Sequence, residues 1–187
     1  MARNTSLANH FLIAMPSFKD PDFEHSVIYL CKHHVQGTVG LIINRPMEYP
    51  LKLVFDQLKI VPEQALKNQQ PLLFGGPIQQ ERGFVIHRPQ GEWRSSLHLR
   101  DEVTVTTSND IIRAIAVNKG PKDVLVALGY AGWTEEQFEK ELKDNLWLVC
   151  PFRSELLYEV PFAERWEYAG GILGVKMNEL SLYTGHA

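Results

Sequence analysis

The stretch from Val124 to Leu142 constrains this chain more than any other. A β-branched, apolar run (Val124, Leu125, Val126) leads into the glycine-spaced aromatic segment Leu128-Gly129-Tyr130-Ala131-Gly132-Trp133. The run predicts a strand to about Leu128, then a turn, then a helix with redundant start signals. Thr134 at the N-cap and Gln137 at the third helical position fit a capping box. Trp133 before the cap and Phe138 after it fit a hydrophobic staple. Glu136 with Lys140, and Glu139 with Lys143, are i,i+4 pairs worth ~0.3 kcal/mol each. The acidic cluster Glu135, Glu136, Glu139 and Glu141 therefore reads as a solvated helix face favoured by the macrodipole.

Other segments extend the pattern. His10 to Ala14 reads as a short strand ending at Pro16, and the polar segment Ser17 to Glu24 as a loop. Ser26 to His33 and Thr38 to Asn44 read as a hairpin around a glycine-containing loop. The continuous apolar run Leu41-Ile42-Ile43 fits a strand buried on both faces. Leu51, Val54, Phe55 and Leu58 make one apolar helical face. Leu72 to Phe74, Gly83 to His87 and Glu102 to Thr106 read as strands. Ser108 starts a helix to Val117 that Gly120-Pro121 should stop. Trp147 to Cys150 is another strand, stopped by Pro151. Pro161 can open a last helix, striped by Phe162, Trp166 and Ala169 and ended by Gly170-Gly171. Hairpin-like pairs dominate the first half, and no linker or repeat divides the chain. The expected architecture is a single compact α+β domain over residues 1–187, with a mixed, mostly antiparallel sheet or barrel-like core and flanking helices.

A chain of 187 residues that is 44% hydrophobic can bury roughly 70% of its unfolded surface without staples. The formal net charge of −3, with Lys and Arg scattered, argues against a nucleic-acid partner, which usually demands a basic excess. Cys31 and Cys150 lack the spacing of a zinc or redox motif. The apolar run after Arg3, Phe11 to Met15, is too short for a signal-peptide core. No stretch approaches the ~20 apolar residues of a membrane span. The expectation is a cytoplasmic protein with reduced thiols, no cofactor, no metal and no membrane association.

No nucleophile elbow, phosphate-binding loop, dinucleotide fingerprint or zinc-protease motif occurs. Gly75-Gly76-Pro77 follows a strand and could present backbone N–H groups to an anion, although a tight turn is the plainer reading. Asn44-Arg45-Pro46 ends a buried strand and could hold a ligand. Cys31 and His33, two apart on a strand, would share a face, as an imidazole-activated thiolate requires; a core cysteine is the plainer reading. His33 and His34 would point to opposite faces and could not share a metal. The ligand-binding candidates are Asn44, Arg45, Gly75, Gly76, His33 and His87. Tyr130, Trp133, Trp147 and Trp166 read as core aromatics.

Taken together, several stretches resemble the YqgE/AlgH family of bacterial proteins. They are Asn9-His10-Phe11-Leu12-Ile13-Ala14-Met15-Pro16; Phe23, Ser26-Val27, Tyr29, Cys31 and His33; Gly37, then Gly40-Leu41-Ile42-Ile43-Asn44-Arg45-Pro46; Gly75-Gly76-Pro77, Gly83-Phe84 and His87; Leu128-Gly129-Tyr130-Ala131-Gly132-Trp133; Trp147, Trp166 and the closing Gly185-His186-Ala187. Lys32 stands where the family often has an acidic residue, and Glu136-Gln137-Phe138-Glu139 replaces the usual Gly-Gln-Leu-Glu. The resemblance implies a compact α+β fold and a cytoplasmic location. The AlgH name also implies a role proposed in transcriptional regulation. It supplies no catalytic residues. Three functions follow as expectations: a non-catalytic regulatory protein binding a small molecule or protein partner, an enzyme using Cys31, His33 or His87, or a direct DNA-binding regulator. The acidic balance and the lack of a helix-turn-helix pattern disfavour the last.

Overall fold

The computed structural model describes residues 5–100 and 103–183. Arg3, Glu102 (the expected first residue of a strand) and the closing Gly185-His186-Ala187 lie outside the described residues. Strands β1 (Phe11–Ala14), β2 (Val27–His34) and β3 (Gly37–Ile42) form an antiparallel meander. Its residues alternate between two buried faces. Phe11, Ile13, Val27 and Tyr29 join one core cluster, and Leu12, Ala14, Ile28 and Leu30 another. Burial on both faces is why these runs are continuously apolar.

β4 (Pro46–Pro50) and β5 (Pro71–Phe74) flank helix α1 (Lys52–Gln57) and pair antiparallel. Then come β6 (Ile78–Arg88), β7 (Ser96–His98), β8 (Thr104–Thr106), α2 (Asn109–Ala116), β9 (Asp123–Trp133), α3 (Glu135–Lys143) and β10 (Trp147–Cys150). The ten-stranded sheet runs β10-β1-β2-β3-β9-β6-β8-β7, with β5 pairing β9 off this path. Only the β5–β9 pair is parallel among the described strands. The result is the expected mixed α+β fold, a curled, mostly antiparallel half-barrel.

β9 departs from expectation. It does not stop at Leu128; Gly129 to Trp133 continue it as strand. Its first half pairs with β6, and Ala131, Gly132 and Trp133 pair with Gly40, Val39 and Thr38 of β3. Gly129, at φ +76°, lies between the residues that pair with β5 (Ala127 and Leu128) and those that pair with β3. A Cβ there would lie 2.3 Å from the carbonyl oxygen of Gly76. The glycines that suggested a turn therefore let two backbone segments cross within a sheet.

Three clusters form the core. α4 (Ser154–Tyr158), α5 (Arg165–Ile172) and α6 (Met177–Tyr183) cover the cluster containing Phe11, Tyr29 and Trp166. α1 and α2 pack Phe55, Ile111 and Ile115 against Val85, Val124 and Val126. α3 brings Phe138 to Trp133 and Trp147.

Helix ends also differ from the sequence reading. Gly170-Gly171 lie inside α5. A Cβ on Gly170 would meet Met177 Cγ at 2.4 Å, so this glycine admits close packing of α6. α5 ends in a Schellman motif instead. Gly174 is left-handed at φ +74°; Val175 N–H donates to Gly170 and Gly174 N–H to Gly171. α2 ends the same way on Asn118 at φ +58°, ahead of Gly120-Pro121. β4, β7, α4 and α6 were not anticipated. No described helix is long and apolar enough to cross a membrane.

Candidate functional site

Asn44 and Arg45 leave the end of β3 and line one cavity of about 390 Å3 with Glu24, His25, Phe162 and Trp166. Both side chains hold the 21–27 segment. Asn44 Oδ1 accepts Val27 N–H at 2.9 Å, and its Nδ2 donates to the His25 carbonyl at 2.8 Å. Arg45 donates to the carbonyls of Pro21, Asp22 and Glu24. His33, His87 and the Gly75-Gly76 pair do not line this cavity.

Gly75 and Gly76 sit at the crossing with β9. Gly75 N–H donates to Leu128 O at 2.8 Å, and its carbonyl accepts from Ile42 N–H at 2.8 Å. A Cβ on Gly76 would fall 2.1 Å from the Tyr130 carbonyl carbon. The pair's close approach to backbone accounts for both glycines.

A register shift between Leu30 and Lys32 separates Cys31 from His33. Cys31 joins the same core cluster as Tyr29. Beyond the irregularity, His33 packs on Phe138 at 5.2 Å between ring centroids, in the cluster across the sheet. The two side chains thus face opposite sides, because a bulge inverts the parity of a strand. Burial pushes the Cys31 thiol up to about 12 and Cys150 up to about 11. Both cysteines are free and buried. His33 Nδ1 accepts the Leu7 N–H at 2.7 Å, and burial lowers its pKa.

His87 is 0% exposed. Its Nδ1 lies 3.0 Å from the Pro89 carbonyl and must donate to it. Nε2 then accepts the Thr106 hydroxyl proton at 2.7 Å, leaving Thr106 Oγ1 to accept from Ser96 at 2.8 Å. Burial holds the ring's pKa below its usual value, so it is neutral near pH 7.

A larger cleft lies elsewhere. A cleft of about 690 Å3 runs between residues 67–71, residues 118–125 and α4. Ile115, Val124, Leu125 and Leu157 form apolar floor; Lys67, Lys122 and Arg165 supply positive charge. Asn118 builds one wall. Its Oδ1 accepts Lys67 N–H at 2.7 Å, and its Nδ2 donates to Ala65 O at 2.8 Å and to Glu63 Oε2 at 3.1 Å. Arg165 builds another. Nε donates to Val160 O at 2.9 Å, Nη1 to Ile43 O at 2.6 Å and Nη2 to Leu157 O at 2.9 Å. It ties Leu157 of α4 and Val160, two residues past it, to Ile43 just beyond β3. Its guanidinium also lies 4.5 Å from the Phe162 ring centroid.

The sequence reading passed over this cleft. Its one legible signal was Arg165. It stands three residues after Phe162 and four before Ala169, on the apolar stripe of its own helix, where a charged residue needs a reason. Lys67, Asn118 and Lys122 lie in polar loops that carry no pattern.

A family model described as AlgH-like matches residues 11–178. The UPF0301 protein of Legionella pneumophila (strain Corby) is 69% identical over 187 residues, the full length of both chains. A UPF0301 protein of Nitrosospira multiformis is 46% identical over 185 residues, covering 99% of this chain and 100% of the relative. The solution structure of the AlgH protein from Pseudomonas aeruginosa superposes with a TM-score of 0.80 at 43% identity, covering 100% of this chain and 97% of that one. A crystal structure from Corynebacterium diphtheriae shares the fold at a TM-score of 0.70 and 23% identity, over 98% of this chain and 94% of that one. With its model matched from β1 into α6 and full-length relatives this similar, the chain belongs to the AlgH-like family.

Proposed function

We propose that this protein is a non-catalytic, cytoplasmic binding protein that takes a small molecule into the cleft beneath α4 and serves a regulatory role. The observation that carries the reading is the cleft itself. At about 690 Å3, it falls within the range of small-molecule sites and pairs an apolar floor with a few polar groups. The alternative, chemistry at Cys31, His33 or His87, has less support. Those side chains are committed to core packing, to Leu7 and to Pro89 and Thr106. Asn44, Arg45, Gly75 and Gly76 are read as supports of neighbouring backbone.

The test is a metabolite screen by thermal denaturation, with each stabilising compound recovered and analysed. A ligand at a hundredfold excess over its Kd stabilises by about 2.7 kcal/mol. The expected hit raises the midpoint in a concentration-dependent way, comes back chemically intact, and perturbs amide resonances of residues 67–70 and 122–125. Recovery of a converted product, or perturbations confined to Cys31 and His33, would replace this reading with an enzymatic one.

A further inference from the structure

We infer that the ligand of this cleft is a small organic polyanion, bearing phosphate or clustered carboxylate groups on a carbon skeleton and anchored on Arg165. This rests on the reading of the cleft as a ligand site and adds the ligand's class.

Arg165 is 3% exposed, yet no carboxylate among the described residues pairs with it. Its recorded acceptors are three backbone carbonyls. A guanidinium carries five N–H donors, so those bonds leave two without a described acceptor on a group that lines the cleft. Burial draws its pKa down to about 10, which still leaves it charged at neutral pH. A buried charge without a counter-ion is costly. The three carbonyls offset part of that cost, and an anion in the cleft would offset more.

The unpaired charge on the rest of the described lining has the same sign. Lys67 and Lys122 come from separate segments, and neither has an ion-pair partner among the described residues. Among the described residues the one acidic lining residue, Asp123, is taken by Arg88 at 2.6 Å. Arg88 is itself fixed over the Tyr158 ring at 4.5 Å. Among the described residues, Lys67, Lys122 and Arg165 therefore line the cleft without a matching anion, on a chain whose formal net charge is −3. A concave, partly apolar cleft with an excess of one sign of charge focuses its field on that space. Lys67 is also positioned, since Asn118 clamps its backbone. The apolar floor of Ile115, Val124, Leu125 and Leu157 has no use for a bare inorganic ion and favours one with a carbon frame.

The experiment is an amide-resonance titration of the full chain with fructose 1,6-bisphosphate, citrate and, as a neutral probe of similar size, sucrose. Saturable shifts are expected at Asn68, Gln69, Gln70, Lys122 and Asp123 with one or both anions and none with sucrose. The anion that binds identifies phosphate or carboxylate as the preferred group. Arg165→Lys tests the anchor directly, but it also breaks fold contacts. The exposed pair Lys67→Ala with Lys122→Ala is the decisive variant. It should keep the wild-type thermal midpoint and weaken anion binding at least tenfold. Anion binding that ignores the double substitution would overturn the inference. So would failure of both anions while a neutral compound from the metabolite screen occupies the cleft, a result that leaves the ligand-binding reading intact. If no compound of any charge perturbs the cleft, both fall together.

Discussion

Glu141 Oε2 accepts the indole N–H of Trp133 at 2.8 Å, and the indole of Trp147 donates to the same oxygen at 2.8 Å. One carboxylate on α3 thereby ties the end of β9 to the start of β10. Gln137 Nε2 steadies the other oxygen at 3.1 Å. The acidic cluster expected to be wholly solvated contains one structural member. Replacing Glu141 by Leu leaves two indole donors without this acceptor, each costing about 1–3 kcal/mol if fully buried and less at a half-buried site. Glu141→Leu should lower stability by about 2 kcal/mol and alter tryptophan fluorescence. Glu141→Gln keeps one acceptor oxygen and should cost less. Equal, negligible losses in chemical denaturation would show that the indoles find water instead.

The start of α3 gives a second prediction. Thr134 Oγ1 accepts Gln137 N–H at 3.1 Å, so the cap forms. The reciprocal half of the box does not, because the Gln137 side chain turns to Glu141. Lys140 likewise pairs with Asp144 rather than Glu136, whereas Lys143 reaches Glu139 at 4.0 Å. Thr134→Ala should cost about 1 kcal/mol. Trp133 is 5% exposed and meets Phe138 edge-on at 5.7 Å between centroids. Trp133→Ala should cost about 3 kcal/mol or more. Both losses should be the same with and without ligand. A Trp133→Ala protein with an unchanged midpoint but no ligand binding would mark this residue as a contact surface.

The staple and the N-cap were legible because they are local; the six consecutive residues from Trp133 to Phe138 specify them. So were the burial of both cysteines and the α+β class, which follow from apolar runs and hairpin spacing. The β9 crossing was not. Gly129, Gly75 and Gly76 meet through contacts more than fifty residues apart, and a glycine needed for close approach looks the same in sequence as one needed for a turn. The bulge at Cys31 was invisible for a related reason: it is set by β3's pairing, not by β2's own residues. The cleft was hidden most completely. Its charged residues come from three separate segments, and only Arg165 breaks a pattern that could be read.

Cysteine chemistry supplies a third prediction. With its thiol pushed up to about 12, Cys31 carries almost no thiolate at neutral pH. Cys150 is in the same condition, at about 11. Alkylation of the native protein at pH 7 should be slow at both positions and become fast on denaturation. Mass spectrometry after a timed iodoacetamide pulse reads this directly. Rapid native labelling of Cys31 would show a thiol far more accessible than its 6% exposure allows.

The last prediction concerns acid. His87 is buried and bonded as a neutral ring, donating to Pro89 and accepting from Thr106. Its folded pKa lies below the ordinary value of 6.5 because burial penalises the charged form; the nearby His98 pushes the same way, and the Pro89 hydrogen bond opposes both. As pH falls below 6.5, the unfolded chain takes up a proton at this site before the folded one does. Stability then falls with pH until the depressed folded pKa is passed, and above 6.5 this group contributes no slope. Protonation would also convert Nε2 from acceptor to donor and force the Thr106 hydroxyl to turn away, disturbing its link to Ser96. The thermal midpoint should therefore drop between pH 7 and pH 5. His33, also depressed by burial, adds to the drop, so the wild type alone cannot assign it. His87→Gln should be less stable than wild type at pH 7.5, with a gap that narrows as pH falls. A gap that stays constant from pH 7.5 to pH 5 would mean that His87 titrates as freely in the folded protein as in the unfolded chain.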